Sequence, residues 1–181
     1  MTKASGSVIL GVTGSIAAYK ACDLVSLLKK DGFDVTVLLT KEALEFVTPL
    51  TFETLSGNKV ITDMFELPAS RSPIHTSLAD RADIIVVAPA TANLIGKLAC
   101  GICDDILSCT IFATDAPVLI APAMNDKMYK HKIVQANIEK LKGTGYHFIG
   151  PIKGHLACGH EDIGHIAGSA DIIQEVMRLV K

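Results

Sequence analysis

The sequence predicts an α/β fold, a three-layer sandwich built on a mostly parallel sheet. Three observations lead there. Short apolar, β-rich runs alternate with longer helical segments along the chain, and repeated βα units give parallel strands with helices on both faces. The run from Ala116 to Ile120 is apolar throughout, as a strand buried on both faces is. Hydrophobic residues make up 49% and charged residues 20% of 181 positions, enough for one well-filled core, so a single domain over 1–181 is expected.

The elements follow in order. Ser7 to Val12 is the first strand, followed by Gly14-Ser15 and a helix to Lys30 that Gly32 ends. Asp34 to Leu39 is the second strand. Thr40 is placed to cap a short helix that Pro49 interrupts. Leu50 to Leu55 reads as another short helix, closed by Gly57. Pro68 to Pro73 has two prolines and no periodicity, and reads as a loop. A capped helix spans Thr76 to Arg81, and a strand spans Asp83 to Val87. Helices are expected from Thr91 to Cys100 and from Asp104 to Ala113. Past the strand at Ala116 to Ile120, Ile133 to Leu141 is amphipathic, Tyr146 to Ile149 is a strand, and Ala170 to Leu179 is the last helix. The class is Rossmann/flavodoxin-like.

Bulk properties exclude several roles. The net charge is −2 with no basic block, and Trp is absent, so no nucleic-acid surface is expected. No signal peptide and no run of about 18 apolar residues is present, so no membrane association is expected. Five scattered cysteines favour reduced thiols and a cytoplasmic setting over a disulfide framework.

Candidate site residues gather at strand ends. Gly14, Ser15 and Ile16 follow the first strand, where a hydroxyl and helix-start N–H groups make an anion site; an ordinary N-cap with a glycine turn is the equal alternative. Neither a Walker loop nor a Gly-x-Gly-x-x-Gly fingerprint occurs there, so one phosphate fits better than two, as in a mononucleotide such as FMN. Thr40, ending the second strand, is a second phosphate donor. Ala90, Thr91, Ala92 and Asn93 are small residues that let a flat ring approach the backbone while Thr91 and Asn93 bond its polar edge.

Ala121-Pro-Ala-Met-Asn-Asp-Lys-Met128 ends the next strand at the sheet edge where open α/β folds bind ligands. Asn125 there can grip a carboxylate or amide. His75 precedes a helix beside the Pro-rich loop, where a neutral-range imidazole suits proton transfer; by itself a loop histidine is a surface group. Cys158 lies in Leu-Ala-Cys-Gly between two expected loops. His155, Cys158, His160 and His165 lack a Cys-x-x-Cys partner, so no metal site is expected. Cys100-Gly-Ile-Cys103 has that spacing, but Cys100 is placed on the apolar face with Leu94 and Leu98 and read as structural.

Together, Gly11-Val-Thr-Gly-Ser-Ile-Ala-Ala-Tyr-Lys20, Ile74-His75, Ala88-Pro-Ala-Thr-Ala-Asn93, Ala121 to Met128 and His155-Leu-Ala-Cys-Gly159 resemble the homo-oligomeric FMN-containing cysteine decarboxylases in motif order and spacing. The resemblance runs from about Val8 to the last helix. It implies bound FMN, contacted by Gly14, Ser15, Ile16, Thr40, Ala90 to Asn93 and Ala123. It implies catalysis by His75 and Cys158, with Met124, Asn125 and Met128 holding the substrate. The Ala-Cys-Gly loop implies decarboxylation of 4′-phosphopantothenoylcysteine to 4′-phosphopantetheine in coenzyme A synthesis. In that scheme the thiol carbon is oxidised first, carbon dioxide leaves, and a Cys158 proton completes reduction of the enethiolate. A homotrimer, or a multiple of it, is also implied. Two other roles occur in the family: decarboxylation of peptide C-terminal cysteine, whose enzymes typically lack that Cys, and phosphatase regulation, expected with an acidic tail that is absent here. One departure is Gly159-His-Glu-Asp-Ile-Gly-His165, where many relatives have a Gly-Arg-type turn. His160 or His165 is the expected substitute. Many bacterial relatives also carry a C-terminal synthetase domain that this chain lacks.

Overall fold

A computed structural model describes residues 6–65, 73–155, 159 and 161–180. β1 (Ser7–Val12), β2 (Asp34–Leu39), β3 (Ile84–Ala90), β4 (Val118–Pro122) and β5 (His147–Phe148) form one parallel sheet in the order β2-β1-β3-β4-β5. Period-two alternation sends the strand side chains to two cores. Val8, Leu10 and Val12 pack with Leu24 and Leu28 of α1 (Lys20–Asp31) and with Ile172 and Val176 of α8 (Ser169–Leu179). Ile9, Ile85 and Val87 pack on the other face with Leu94 and Leu98 of α4 (Ala92–Cys100), Leu107 and Ile111 of α5 (Ile106–Ala113), and Leu141 of α7 (Lys132–Gly143). The chain turns outward in opposite directions from β1 and β3. That reversal opens a crevice at their carboxyl ends.

The chemistry of the turns sets the remaining elements. Gly32 ends α1 in the left-handed conformation, with φ 100°. Thr40 Oγ1 accepts from Ala43 N at 3.3 Å, ahead of a 3-10 turn, Ala43–Glu45, whose N-cap position is Glu42. Pro49 opens α2 (Pro49–Ser56) instead of interrupting a helix, because its missing N–H would be unpaired in a first turn.

Several boundaries differ from the sequence reading. β3 begins after Asp83, whose carboxylate accepts the Ser7 N–H at 2.7 Å, and runs on to Ala90. Its pairing with β4 shifts register after Val87 and resumes at Ala90 with Pro122, which carries the strand past Pro89. α5 begins at Ile106 because Asp105 and Ser108 form a capping box. Cys100 is exposed, not on the apolar face: it lies two positions past buried Leu98, and residues two apart do not share a helix face. The segment read as loops around His155 and His165 contains an antiparallel hairpin, β6 (Ile152–His155) and β7 (Glu161–His165). Cys158 and His160 lie outside the described residues, as does most of Pro68–Pro73. No helix among the described residues is long and apolar enough to cross a membrane.

Candidate active site

Two adjoining clefts occupy the crevice. The first, about 310 Å³, is lined by Gly14, Ser15, Thr40, Thr91, Ala92, Asn93, Ala123, Met124 and Met128 of the expected set. Thr13 builds its floor. The buried Thr13 hydroxyl donates to the Pro89 carbonyl at 2.7 Å and accepts from Thr91 N at 3.0 Å, tying the end of β1 to the end of β3. Thr91 then caps α4 through Leu94 N. Ser15 caps a 3-10 turn, Ile16–Tyr19, by accepting from Ala17 N at 3.3 Å. A hydroxyl that accepts still has its own proton to donate, so Ser15 and Thr40 can accept from the backbone and also bond an anion.

Gly14 is required for closeness. A Cβ on it would stand 2.4 Å from Glu42 Cβ and 3.1 Å from the Glu42 carbonyl. Lys97 also lines this cleft, but Asp104 at 2.7 Å and Asp105 at 2.9 Å hold its charge. Burial opposes ionisation of Lys97 and Asp105. The Asp104 and Asp105 contacts nonetheless hold Lys97 above its ordinary range, while the Ser108 N–H and Lys97 hold Asp105 below its own.

The second cleft, about 420 Å³, shares Ser15, Ala123 and Met124 with the first. Ile16 lines this one and not the first, and its side chain is exposed at the start of the 3-10 turn. Ala90 lines neither cleft. It is fully buried, and its carbonyl takes the Ala123 N–H at 3.0 Å, so it positions Ala123. Asn125 lines the second cleft and caps α6 (Asp126–Lys130), its Oδ1 accepting from Lys127 N at 2.9 Å. β7 presses against this segment. Met124 N donates to Gly164 O at 3.1 Å, and Gly164 has φ 143° with space for a Cβ blocked at 2.2 Å by Met124 O. Lys130 joins Asp162 of β7 to Asp126. The hairpin strands contribute His155 and His165 to the cleft.

His75 lies in the first turn of α3 (Ile74–Arg81), not ahead of the helix, because Pro73 already serves as the N-cap. It is half-buried and lines neither cleft. Sequence reasoning missed Thr13, Tyr19 and Lys20, although all three stand inside the quoted glycine-rich segment. Among the described residues no group of three His, Cys, Asp or Glu side chains could hold a metal ion.

Residues 2–181 match the family described as Flavoprotein. The chain is 49% identical over 168 residues to the coenzyme A biosynthesis bifunctional protein CoaBC of Bacillus subtilis, covering 93% of this chain and 41% of that protein. It therefore spans about two fifths of the length of such relatives. It is 42% identical over 178 residues to the probable phosphopantothenoylcysteine decarboxylase of Streptococcus mutans, covering 97% and 98% of the two chains. Its fold is similar to that of a Cys-to-Ser PPC decarboxylase mutant complexed with pantothenoylaminoethenethiol (TM-score 0.87, 30% identity, 97% and 98% covered). It is also similar to the FMN-dependent cysteine decarboxylase SpaF (TM-score 0.86, 28% identity, 97% of each chain covered).

Proposed function

From a chain that belongs to the Flavoprotein family, we propose a decarboxylase that binds FMN in the first cleft and 4′-phosphopantothenoylcysteine in the second. The observation that carries this reading is the shared wall: Ser15, Ala123 and Met124 line both clefts, so a ligand in one would lie beside a ligand in the other. The first cleft fits the cofactor. Gly14 admits a close approach to Glu42, Ser15 and Thr40 offer hydroxyl protons for one phosphate, and Thr91 to Asn93 present small residues to a flat ring. Gly14→Ala would set a Cβ 2.4 Å from Glu42 Cβ, so it should push the Glu42 turn back and weaken FMN binding. A fluorescence titration of FMN reads this directly; unchanged affinity would separate Gly14 from the cofactor.

When bound, FMN supplies a two-electron acceptor and donor next to the substrate carbon. The chain's own residues do the rest. Asn125 commits Oδ1 to the α6 cap and lines the second cleft, where a side-chain amide suits the substrate carboxylate. Cys158 is the proton donor that completes reduction. The enethiol held by the mutant PPC decarboxylase is the species expected when such a donor is missing. The whole scheme is tested by incubating the yellow protein with phosphopantothenoylcysteine. Carbon dioxide and 4′-phosphopantetheine should form without added reductant, and a colourless protein that takes up no FMN would end the reading.

The active assembly is a homotrimer, or a multiple of it, of this single cytoplasmic decarboxylase domain. What supports an oligomer is His75: it lines neither cleft of its own chain, so a role at the reacting group requires a neighbouring copy. His75→Asn should keep FMN and the light-scattering mass but lose turnover by at least ~10²-fold, the usual contribution of a positioned proton carrier. Turnover at the wild-type rate would return His75 to the surface.

A further inference from the structure

The partners of His165 decide its tautomer. Nδ1 lies 3.0 Å from the Ile166 carbonyl oxygen, which can only accept, so Nδ1 carries the proton. Nε2 lies 2.8 Å from Lys20 Nζ, and an ammonium can only donate, so Nε2 presents its lone pair. The ring is thus a neutral acceptor that steadies the Lys20 ammonium in the second cleft, which both residues line. The Tyr19 ring adds a second support, 6.0 Å from Nζ to its centroid. No carboxylate lies within ion-pair distance of Lys20 among the described residues, whereas Lys97 of the first cleft is neutralised by two aspartates. One N–H of Lys20 is used by His165, which leaves two for a ligand. A cation kept uncompensated in a recess is a receptor for an anion.

We propose that Lys20 takes the terminal phosphate of the substrate and that His165 is its positioning residue. This rests on reading the second cleft as the substrate site, where the carboxylate already belongs to Asn125.

The test is calorimetric binding of 4′-phosphopantetheine and of pantetheine to the FMN-loaded protein, which needs no turnover. The wild type should prefer the phosphorylated ligand roughly 10- to 100-fold, the range of charge-assisted hydrogen bonds. Lys20→Met removes the ammonium and keeps the apolar stem, so the preference should vanish. His165→Leu should lower the preference in the same direction. His165→Gln keeps an acceptor at the ε position and should restore most of it. In turnover, Lys20→Met should show its loss in KM for phosphopantothenoylcysteine, and the kcat/KM ratio over pantothenoylcysteine should fall by the same factor. Flavin absorbance in each variant checks that the fold survives. Equal losses on both ligands, or an unchanged preference in Lys20→Met, overturn the phosphate subsite. A wild type that binds with this preference but releases no carbon dioxide overturns the decarboxylase reading and leaves the subsite standing.

Discussion

Asn125→Asp should leave the protein folded and yellow yet reduce decarboxylation about 10³-fold. Asp caps helices as well as Asn does, so the bond from Lys127 N and the start of α6 survive the change. What changes is charge. A carboxylate set about 4 Å from the substrate carboxylate costs roughly 4 kcal/mol at the effective dielectric of a partly exposed site, which is about three decades in rate. The measurement is kcat/KM beside the flavin spectrum and the melting temperature. The same kcat/KM as the wild type would show that Asn125 serves only as a helix cap.

Cys158→Ser should separate the two halves of the reaction. Carbon dioxide release precedes the step that needs the thiol, so a first turnover of carbon dioxide should remain. Reduction of the enethiolate should stop, because a thiol has a pKa near 8.5 and a serine hydroxyl is a far weaker acid. The expected product is two hydrogens lighter than 4′-phosphopantetheine by mass spectrometry, with the flavin left reduced. Normal 4′-phosphopantetheine at the normal rate would make Cys158 structural and remove the main reason to prefer the phosphorylated small-molecule substrate over a peptide.

Much of this architecture is legible in the chain because local and global preferences agree. β1 and β2 have the expected bounds, Ser7–Val12 and Asp34–Leu39, since apolar β-rich runs buried between helices leave little choice. The glycines that end α1 and α2 were equally readable from their freedom at positive φ. The hairpin was not, because Ile-Lys-Gly-His and Glu-Asp-Ile-Gly-His have no period-two apolar face to betray a strand. β3 runs past its expected end at Val87; its continuation to Ala90 depends on β4 resuming contact at Pro122. The site divides in the same way. Gly14, Ser15, Thr40, Thr91 to Asn93 and Ala123 stand where strand-end chemistry put them. Thr13 and Lys20 act through partners 76 and 145 positions away, and no local pattern announces bonds of that span. Ala90 shares a motif with cleft-lining residues but lines neither cleft itself and gives its carbonyl to Ala123 N, a distinction only the fold makes.

The hairpin β6–β7 has little apolar surface beneath it: Gly164 is the one buried position among its described strand residues. Among the described residues its attachments include Met124 N to Gly164 O, Lys130 with Asp162 and Asp126, and Lys20 with His165. None of its described strand residues belongs to either buried hydrophobic core, and few buried apolar contacts are the mark of segments at the low-stability end of a fold. Because its main side-chain tether is an ion triad that includes an exposed lysine, dissolved salt weakens its hold on the body of the protein. His155, Gly164 and His165 of this hairpin line the second cleft, so added salt should act on that cleft more than on the first, which no described hairpin residue lines.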